Sequence, residues 1–402
     1  MTHIAVIGAG QAGASLVAKL RSLGHDGEIT LIGGENAPPY QRPPLSKSYL
    51  LGDMAEERLY LRPLHWYDDN RITLRLGTPV EAISPAAKEI FRGGEVIRYD
   101  QLALTTGSVP RHLPEALGGA LGNVFSVRTL ADVDAMEPQF REGARVLIVG
   151  GGYIGLEAAA VAAKKGLKVT LIEMAPRILQ RVACEATSDY FRALHRGHGV
   201  DIRERTGLER LVGDSDVAGA ILGDGTEIAA DFVIIGMGIL PGETLAEEAG
   251  LDIENGIRCD AQGRTSDPAI WAAGDCASFP FKGARLRLES VQNAIDMAEC
   301  VAENMLGAGK EYDPKPWFWS DQYDVKLQIA GLNTGYDRVV ARHGDKGAVS
   351  HWYYAGDTLL AVDAMNDPRG YMVGKRLIEA GRTADPALVA DASVDLKTLM
   401  RA

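Results

Sequence analysis

The alternation of apolar runs and amphipathic stretches predicts a repeated strand-helix-strand unit. An apolar run at Ile4–Ile7 leads through a glycine turn into an amphipathic stretch from Ala12 to Leu23, and then into a second apolar run at Ile29–Ile32. The same succession returns over residues 145–173, with a long alanine-rich stretch between its two apolar runs. The chain is therefore predicted to contain two α/β folds of the Rossmann type.

Three later apolar runs end at glycines and resemble buried parallel strands. Strands of parallel sheets are apolar over most of their length, and at their carboxyl ends they run into turns that face ligands. The three runs are Gln101–Thr105 before Gly107, Phe232–Ile235 before Gly236 and Gly238, and Ala269–Ala273 before Gly274 and Asp275. We expect the residues that follow these runs to face bound ligands.

From Trp317 onwards the pattern changes to aromatic residues among alternating segments. Residues Lys326–Ala330 alternate with a period of two, which is typical of a strand with one buried face. This pattern predicts a third domain with an antiparallel sheet and a helix near Gly374–Ala380. A proline-rich loop lies at residues 38–44, and a linker is expected near Pro110–Pro114.

Length and charge narrow the function classes. A chain of 402 residues is too long for one ordinary hydrophobic core. Its formal net charge of -12 argues against sequence-independent binding of nucleic acid, which requires a surplus of lysine and arginine. No apolar stretch approaches the roughly 18 residues of a membrane helix, and no charged leader precedes the first apolar run. We expect a cytoplasmic protein.

The four cysteines are scattered along the chain. They are Cys184, Cys259, Cys276 and Cys300. They form no Cys-x-x-Cys pair and have no metal-ligand spacing, so we predict small buried residues and no metal site.

The turn after the first strand has the spacing Gly8-x-Gly10-x-x-Gly13. Glycines at this spacing permit a tight turn, close approach of the backbone to a pyrophosphate, and close packing of helix on strand. The helix start offers free N–H groups and the positive end of its dipole to phosphates. Glu35 follows the second strand, where a carboxylate can bond ribose hydroxyls. This context favours dinucleotide binding over a purely structural turn.

The second copy of the motif is Gly150-x-Gly152-x-x-Gly155, and Glu173 ends the strand after it. A carboxylate there suits both ribose hydroxyls of an adenosine and would repel a 2′-phosphate, which favours NADH over NADPH. Arg177 lies four residues further on and weakens that preference. Two dinucleotide sites in one chain imply that one dinucleotide reduces the other, because both carry hydride chemistry.

The motifs together resemble a known superfamily. In order and spacing, the two glycine motifs and the strand ends Thr105–Gly107 and Trp271–Asp275 resemble the two-dinucleotide flavoproteins of the glutathione reductase type. Further segments resemble the NADH-dependent ferredoxin reductases of oxygenase systems, those of the putidaredoxin reductase type. These segments are Arg42–Lys47, Glu289–Ala294 and Pro316–Tyr323.

The resemblance implies three domains. An FAD-binding domain would comprise residues 1–108 and 243–316, an NAD-binding domain residues 109–242, and a C-terminal α+β domain residues 317–402. The fold class expected is therefore α/β, with two Rossmann-like domains and a C-terminal domain built on an antiparallel sheet.

The resemblance also assigns residues to the two cofactors. For FAD these are Gly8, Gly10, Gly13, Glu35, Arg42, Lys47, Val80, Thr106, Gly107, Arg128, Asp275, Val291 and Trp319. For NAD they are Gly150, Gly152, Tyr153, Ile154, Gly155, Glu173, Gly236 and Gly238. In relatives a carboxylate commonly stands where this chain has Gly34, so Glu35 is the neighbouring candidate.

Several of these residues also have a plain structural interpretation. Asp275 would cap a strand end, and Arg128 would be an exposed arginine. Val80 and Val291 would be ordinary core valines. Both interpretations stay open for these four residues.

Lys47, Glu157 and Trp319 are the expected catalytic residues. The resemblance places Lys47 beside the reactive edge of the isoalloxazine, paired with Glu157, where a cation would stabilise the negative charge of reduced flavin. Trp319 would wall the flavin from solvent. Otherwise Lys47 would be a solvated charge and Trp319 a core aromatic of the third domain.

The resemblance implies transfer of hydride from NADH to non-covalent FAD. Single electrons would then pass to a 2Fe-2S ferredoxin that feeds a monooxygenase, of the haem-thiolate type first, or a dioxygenase. Disulfide-reducing relatives need a redox-active cysteine against the flavin, whereas the loop here has Ser46 and Lys47 and the first cysteine is Cys184.

Two other functions stay open at this point. One is a rubredoxin reductase, or the reductase module of a larger enzyme, and the other is a redox-regulated, non-catalytic flavoprotein like apoptosis-inducing factor. Ferredoxins are usually acidic, so a local basic docking face is expected despite the negative total, and no heptad pattern argues against a monomer. Candidates for that face are Arg285, Arg287, Lys326 and Arg369. An equally good interpretation of these four residues is that they are separate, solvated surface charges.

Overall fold

A computed structural model describes residues 2–400. The chain forms two compact units. The first unit contains the described residues up to Arg42 together with residues 55–109 and 239–316. The second contains residues 43–54, 110–238 and the described residues from Trp317 on. The three predicted domain ranges stay a prediction.

The first unit is built on a five-stranded parallel sheet. Its strands, in spatial order, are Ile270–Ala272, Gln101–Leu104, Ile4–Ile7, Ile29–Ile32 and Ile72–Arg75. All residues of the two strands at Ile4–Ile7 and Ile29–Ile32 are buried, as expected for a sheet covered on both faces. The helix Gln11–Ser22 buries Leu16, Val17 and Leu20 along one side and packs against the helix Val291–Met305.

Smaller elements complete the first unit. Its shorter helices are Glu56–Arg58, Leu64–Asp69 and Thr244–Glu248. The remaining strands are Ala82–Ser84, Glu89–Arg92 and Glu95–Arg98 in one sheet, Ile257–Arg258, Ala277–Phe281 and Ala284–Leu286 in another, and the pair Ser108–Pro110 and Ile239–Pro241.

The second unit contains a parallel sheet of the same kind. Its strands, in spatial order, are Asp201–Glu204, Lys168–Glu173, Arg145–Val149, Phe232–Ile235 and Val124–Phe125. The helix Tyr153–Lys164 is buried from Gly155 to Ala162, because the sheet packs on one side of it and the strand Trp317–Gln322 on another. The small alanine side chains permit this close packing.

The C-terminal part of the second unit is an antiparallel sheet with helices. Its strands, in spatial order, are Trp317–Gln322, Val325–Gly331, Thr358–Met365, Val349–Ala355 and Arg338–His343. The predicted fold class is confirmed, since two parallel sheets and this antiparallel sheet are all present.

The remaining elements of the second unit are several helices and one small sheet. The sheet is formed by Leu208–Gly213, Val217–Leu222 and Glu227–Ala229. The helices are Pro43–Ser46, Ser48–Leu51, Glu115–Leu117, Leu130–Met136, Glu137–Gln139, Glu185–Gly197, Asp345–Gly347, Pro386–Ala390 and Leu396–Met400. Over residues 2–400, every helix is too short or too polar to cross a bilayer.

The helix expected near Gly374–Ala380 is longer than predicted. It spans Pro368–Glu379, because Asp367 accepts a hydrogen bond from the Gly370 N–H and Pro368 occupies the first helical position. Both are start signals of helices. The proline-rich loop likewise ends in a 3₁₀ turn at Pro43–Ser46.

Candidate active site

Parallel pairing gathers the predicted FAD residues of the first unit at one edge of its sheet. Ile7 lies opposite both Ile32 and Leu104, and Leu104 lies opposite Ala272. The chain therefore leaves each of these strands at the same carboxyl edge. The residues that follow the strands there are Gly8, Gly10 and Gly13, then Glu35, then Thr106 and Gly107, and finally Asp275.

The first glycine turn is built so tightly that two of its glycines, Gly8 and Gly13, are required. Gly8 has a φ of +113°, and a Cβ on it would lie 2.1 Å from the Thr105 carbonyl oxygen. A Cβ on Gly13 would lie 2.0 Å from the Gly8 carbonyl oxygen. At Gly10, by contrast, no atom of residues 2–400 apart from Gly10 and its chain neighbours lies within 4 Å of the Cβ position, and the helix beginning there has no side-chain cap within the described chain. Open space and uncapped N–H groups fit a pyrophosphate.

Glu35 is held by neighbours of its own loop. Arg42 donates to its Oε1 at 2.6 Å, and the Tyr40 hydroxyl donates to its Oε2. The Arg42 guanidinium also lies over the Tyr40 ring at 5.1 Å. The carboxylate predicted to bond ribose is thus fixed in one orientation.

The other predicted FAD residues of the first unit stand at strand and helix ends. The Thr106 hydroxyl donates to the Gly242 carbonyl, and Gly107 has a φ of +66°. The Asp275 carboxylate accepts a hydrogen bond from Ser108 Oγ at 2.9 Å. Val291 begins the helix Val291–Met305. Val80 is half-buried against the hydrophobic core.

The second glycine turn repeats the first in the second unit. Gly150 has a φ of +112°, and a Cβ on it would lie 2.4 Å from the carbonyl oxygen of Gly236, which follows the neighbouring strand. A Cβ on Gly155 would lie 2.1 Å from the Gly150 carbonyl oxygen. Gly152 precedes a helix without a side-chain cap, and no atom of residues 2–400 apart from Gly152 and its chain neighbours lies within 4 Å of its Cβ position. This turn fits a second pyrophosphate.

Glu173 lies directly beside this turn. Its Oε2 accepts the Gly151 N–H at 2.7 Å, and its Oε1 accepts the Ala175 N–H at 2.7 Å. Each oxygen retains a lone pair for a ribose hydroxyl. Arg177 points elsewhere, since it donates to the Ala183 carbonyl at 2.8 Å and to Ser188 Oγ at 2.5 Å.

The remaining predicted NAD residues line the same turn or the adjacent strand end. Ile154 is exposed in the first turn of the helix, and Tyr153 packs against Phe318 with ring centroids 5.0 Å apart. Gly238 has a φ of +92° and its carbonyl accepts the Arg111 N–H. Arg128, predicted for FAD, donates its backbone N–H to Asp132 at a helix start.

The ion pair predicted between Lys47 and Glu157 is present in the second unit. Lys47 Nζ lies 2.9 Å from Glu157 Oε1, and the Glu157 side chain is buried. Burial raises the pKa of Glu157, and this effect is opposed by Lys47 and by hydrogen bonds from Ser320 and Ser46. Trp319 lies on the strand Trp317–Gln322, with its ring 5.5 Å from that of Trp317.

The prediction assigned no role to the two serines that bind Glu157. Ser46 Oγ donates to Glu157 Oε2 at 2.7 Å, and Ser320 Oγ donates to Oε1 at 2.7 Å. Neither serine carried a signal in the sequence alone, because the complete burial that makes Ser320 require a polar partner is known only from the structure.

The four cysteines are buried thiols. Burial raises the pKa of Cys259 to about 12 and also raises the pKa of Cys276 and Cys300. Of the basic docking candidates, Arg285 donates to the Cys259 carbonyl and Arg287 pairs with Glu289. Lys326 and Arg369 are exposed.

These two glycine turns agree with the family comparison. Residues 2–298 match the model of the pyridine nucleotide-disulphide oxidoreductase family. Residues 317–400 match the reductase C-terminal family. The chain belongs to the pyridine nucleotide-disulphide oxidoreductase family and is an oxidoreductase, and this membership implies FAD and NAD(P)H as cofactors, as predicted.

Individual relatives narrow the class to ferredoxin reductases. The chain is 42% identical to rhodocoxin reductase of Rhodococcus erythropolis over 399 residues, covering 98% of this chain and 93% of the relative. It is 40% identical to putidaredoxin reductase of Pseudomonas putida over 409 residues, covering 100% and 97%. The solved covalent putidaredoxin reductase–putidaredoxin complex matches with a TM-score of 0.95 at 38% identity, covering 100% of this chain and 98% of that chain. The predicted resemblance to the putidaredoxin reductase type is confirmed.

Proposed function

We propose that the protein is an NADH-dependent ferredoxin reductase, which passes electrons from NADH through FAD to a 2Fe-2S ferredoxin of an oxygenase system. The observation that carries this proposal is the pair of open glycine turns, each with a carboxylate at the same carboxyl edge of its parallel sheet. When bound, FAD and the nicotinamide dinucleotide supply the hydride chemistry. The chain itself binds and orients them and balances charge.

The two sets of cofactor residues remain proposals. For FAD we propose the turn with Gly8, Gly10 and Gly13, and contacts from Glu35, Arg42, Lys47, Val80, Thr106, Gly107, Arg128, Asp275, Val291 and Trp319. For NADH we propose Gly150, Gly152, Tyr153, Ile154, Gly155, Glu173, Gly236 and Gly238. The uncapped helix starts and the fixed carboxylates support both sets.

Lys47 is proposed as the cation that balances negative charge on the flavin ring, and Glu157 as the residue that holds it. Their 2.9 Å contact and the burial of Glu157 support this pairing. Trp319 is proposed to shield the ring from solvent. These roles at the flavin rest on the resemblance in the segments Arg42–Lys47 and Pro316–Tyr323.

The preference for NADH is supported by two neighbouring side chains. The Glu173 carboxylate beside the second turn would repel a 2′-phosphate. Arg177 is committed to Ala183 and Ser188. The positive charge that would favour NADPH is thereby held by hydrogen-bond acceptors within the protein.

An acidic ferredoxin is the proposed partner of a monomeric reductase. A relative at 38% identity was solved in covalent complex with putidaredoxin. Lys326 and Arg369 are the two basic candidates that are exposed, so we propose them for the docking face.

The test is anaerobic mixing of the purified yellow protein with NADH or NADPH, followed by an oxidised 2Fe-2S ferredoxin. We expect fast bleaching of the flavin absorbance by NADH, slower bleaching by NADPH, and return of the absorbance when ferredoxin is added. Flavin that neither nucleotide bleaches would overturn the reductase function and favour a regulatory flavoprotein. Return of the absorbance with rubredoxin but not with ferredoxin would instead identify a rubredoxin reductase.

A further inference from the structure

A line of buried polar side chains leads away from Glu157 through the second unit. Gln322 Nε2 donates to Ser320 Oγ at 3.1 Å, and His195 Nε2 lies 2.7 Å from Gln322 Oε1. The Tyr323 hydroxyl lies 3.2 Å from His195 Nδ1. Ser320, Gln322 and His195 are fully buried, whereas Tyr323 is half-buried and stacks on an exposed histidine, His198.

Matching repeats of a helix and a strand create the inner part of this line. Tyr153 and Glu157 lie one helical turn apart, about 6 Å along the axis. Phe318 and Ser320 lie two residues apart on the same strand face, about 6.6 Å. The two pairs therefore face each other, with Tyr153 on Phe318 and Glu157 on Ser320. Gln322 is the next residue on that strand face.

The chemistry of each group fixes the direction of every hydrogen bond. Ser320 has one proton, which goes to the Glu157 carboxylate, so its oxygen accepts from the Gln322 amide. The Gln322 carbonyl oxygen then accepts, so His195 carries its proton on Nε2. Burial lowers the pKa of His195 to about 4, which leaves the ring neutral with one N–H. Its Nδ1 accordingly accepts from the Tyr323 hydroxyl, and all four donors point towards Glu157.

We propose that Ser320, Gln322 and His195 are positioning residues of the reductase, which hold the Glu157 carboxylate ionised and oriented towards Lys47 through hydrogen bonds that all point the same way. The inference rests on the proposed function, because it concerns the cation that serves the flavin. Hydrogen bonds aligned in one direction polarise one another, so a group three bonds away still acts on the carboxylate. None of the three residues needs to touch a cofactor.

Charged and titratable groups contact this line at both ends, and Lys164 Nζ also lies 3.4 Å from the Tyr323 carbonyl oxygen. Lys47, from the segment before the helix Ser48–Leu51, faces Glu157, and Ser46 binds its second oxygen. At the far end His195 faces Tyr323, and His198 adds to the lowering of the pKa of His195 by burial. Removing a donor to the carboxylate favours its protonated form, so the pKa of Glu157 rises further. The ion pair with Lys47 is then lost at a higher pH than in the parent protein.

The first experiment compares S320A with S320T in the flavin-loaded protein. The rate of flavin bleaching by NADH, followed against pH, should fall on the acid side in the parent, and S320A should move this acid limb upward by about one pH unit. S320T keeps the hydroxyl and should restore the parent profile. The KM for NADH should stay unchanged in both variants.

A second readout does not depend on flavin reduction. Protein labelled with ¹³C at the glutamate carboxyl carbons is titrated by NMR, with E157Q identifying the signal of Glu157. S320A should raise the midpoint of that signal by about one pH unit. An unchanged midpoint in S320A would overturn the inference, whatever the rates are.

The far end of the line provides the matched pair H195Q and H195L. Glutamine retains a donor near the position of Nε2, whereas leucine offers none. We expect H195L to raise the Glu157 midpoint and H195Q to keep it near the parent value. Equal midpoints in both variants would contradict an effect of His195 on Glu157 through this line of side chains. This pair of variants tests the inference even if S320A does not fold. A parent protein that NADH fails to bleach at any pH would refute the proposed function. The NMR titration would still test whether this line of side chains acts on Glu157.

Discussion

At the scale of single residues, the charge of Lys47 matters most to the proposed reaction. We expect K47Q to slow flavin bleaching by NADH on the order of 10²-fold, because a preorganised charge beside a developing anion contributes this much in comparable sites. Rapid-mixing absorbance measurements would check it. K168Q is the control, since Lys168 is an exposed lysine at a strand start. Equal losses in both variants would argue against a specific role for Lys47.

Asp363 is a second buried carboxyl group, outside the proposed reaction. Its Oδ2 accepts hydrogen bonds from Thr187 at 2.9 Å and from Tyr353, and burial raises its pKa to about 6. An unfolded aspartate has a pKa near 3.9, so the folded protein binds the proton more tightly. The contribution of Asp363 to the free energy of unfolding must therefore fall as pH rises from about 4 to about 6.

D363N removes this titration and can keep an acceptor at the position of Oδ2. We expect the free energy of unfolding of the parent protein to decline relative to D363N by up to about 3 kcal/mol across that pH range. Urea unfolding at several pH values would measure the difference. Parallel pH profiles for the two proteins would show that Asp363 keeps an ordinary pKa.

At the scale of elements, two glycines of the second glycine turn have different roles: Gly150 is required for folding, and Gly152 is expected to be required for ligand binding. A Cβ at Gly152 meets open space within the described chain, so G152A should change the free energy of unfolding by less than about 0.5 kcal/mol. The same methyl group would occupy room left for a pyrophosphate, so the KM for NADH should rise roughly tenfold. G150A is the contrasting variant, because its Cβ would collide with Gly236 and should destabilise the fold. An unchanged KM in G152A would place the pyrophosphate elsewhere.

At the scale of the whole molecule, binding of FAD must contribute to stability. A ligand at 100 times its dissociation constant adds about 2.7 kcal/mol to the free energy of unfolding. We expect the flavin-stripped protein to have a lower Tm than the loaded protein and to recover when FAD is added. Scanning calorimetry with FMN as the control would measure this, because FMN lacks the adenosine that Glu35 is proposed to bind. Equal recovery with FMN would contradict an FAD site at the first glycine turn.

Much of the fold was readable from local patterns. The strand Ile29–Ile32 and both glycine turns lie where the sequence predicted them, since apolar runs and glycine spacing are properties of adjacent residues. The sequence prediction placed the helix Pro368–Glu379 only near Gly374–Ala380, although Asp367 and Pro368 are both start signals of a helix. The aromatic and alternating residues from Trp317 on favour strands, and this pattern outweighed the helix start signals.

The sequence by itself determined the two dinucleotide turns, because each is complete within about thirty residues and needs only glycine, a strand and a helix start. The structure alone decided which side chains surround Glu157. Ser46 and Ser320 come from distant parts of the chain, and Ser320 meets Glu157 because a helical turn and a two-residue strand repeat have nearly the same length. His195 joins them only through Gln322. Such a meeting depends on which elements pack together, and no pattern of adjacent residues encodes that packing.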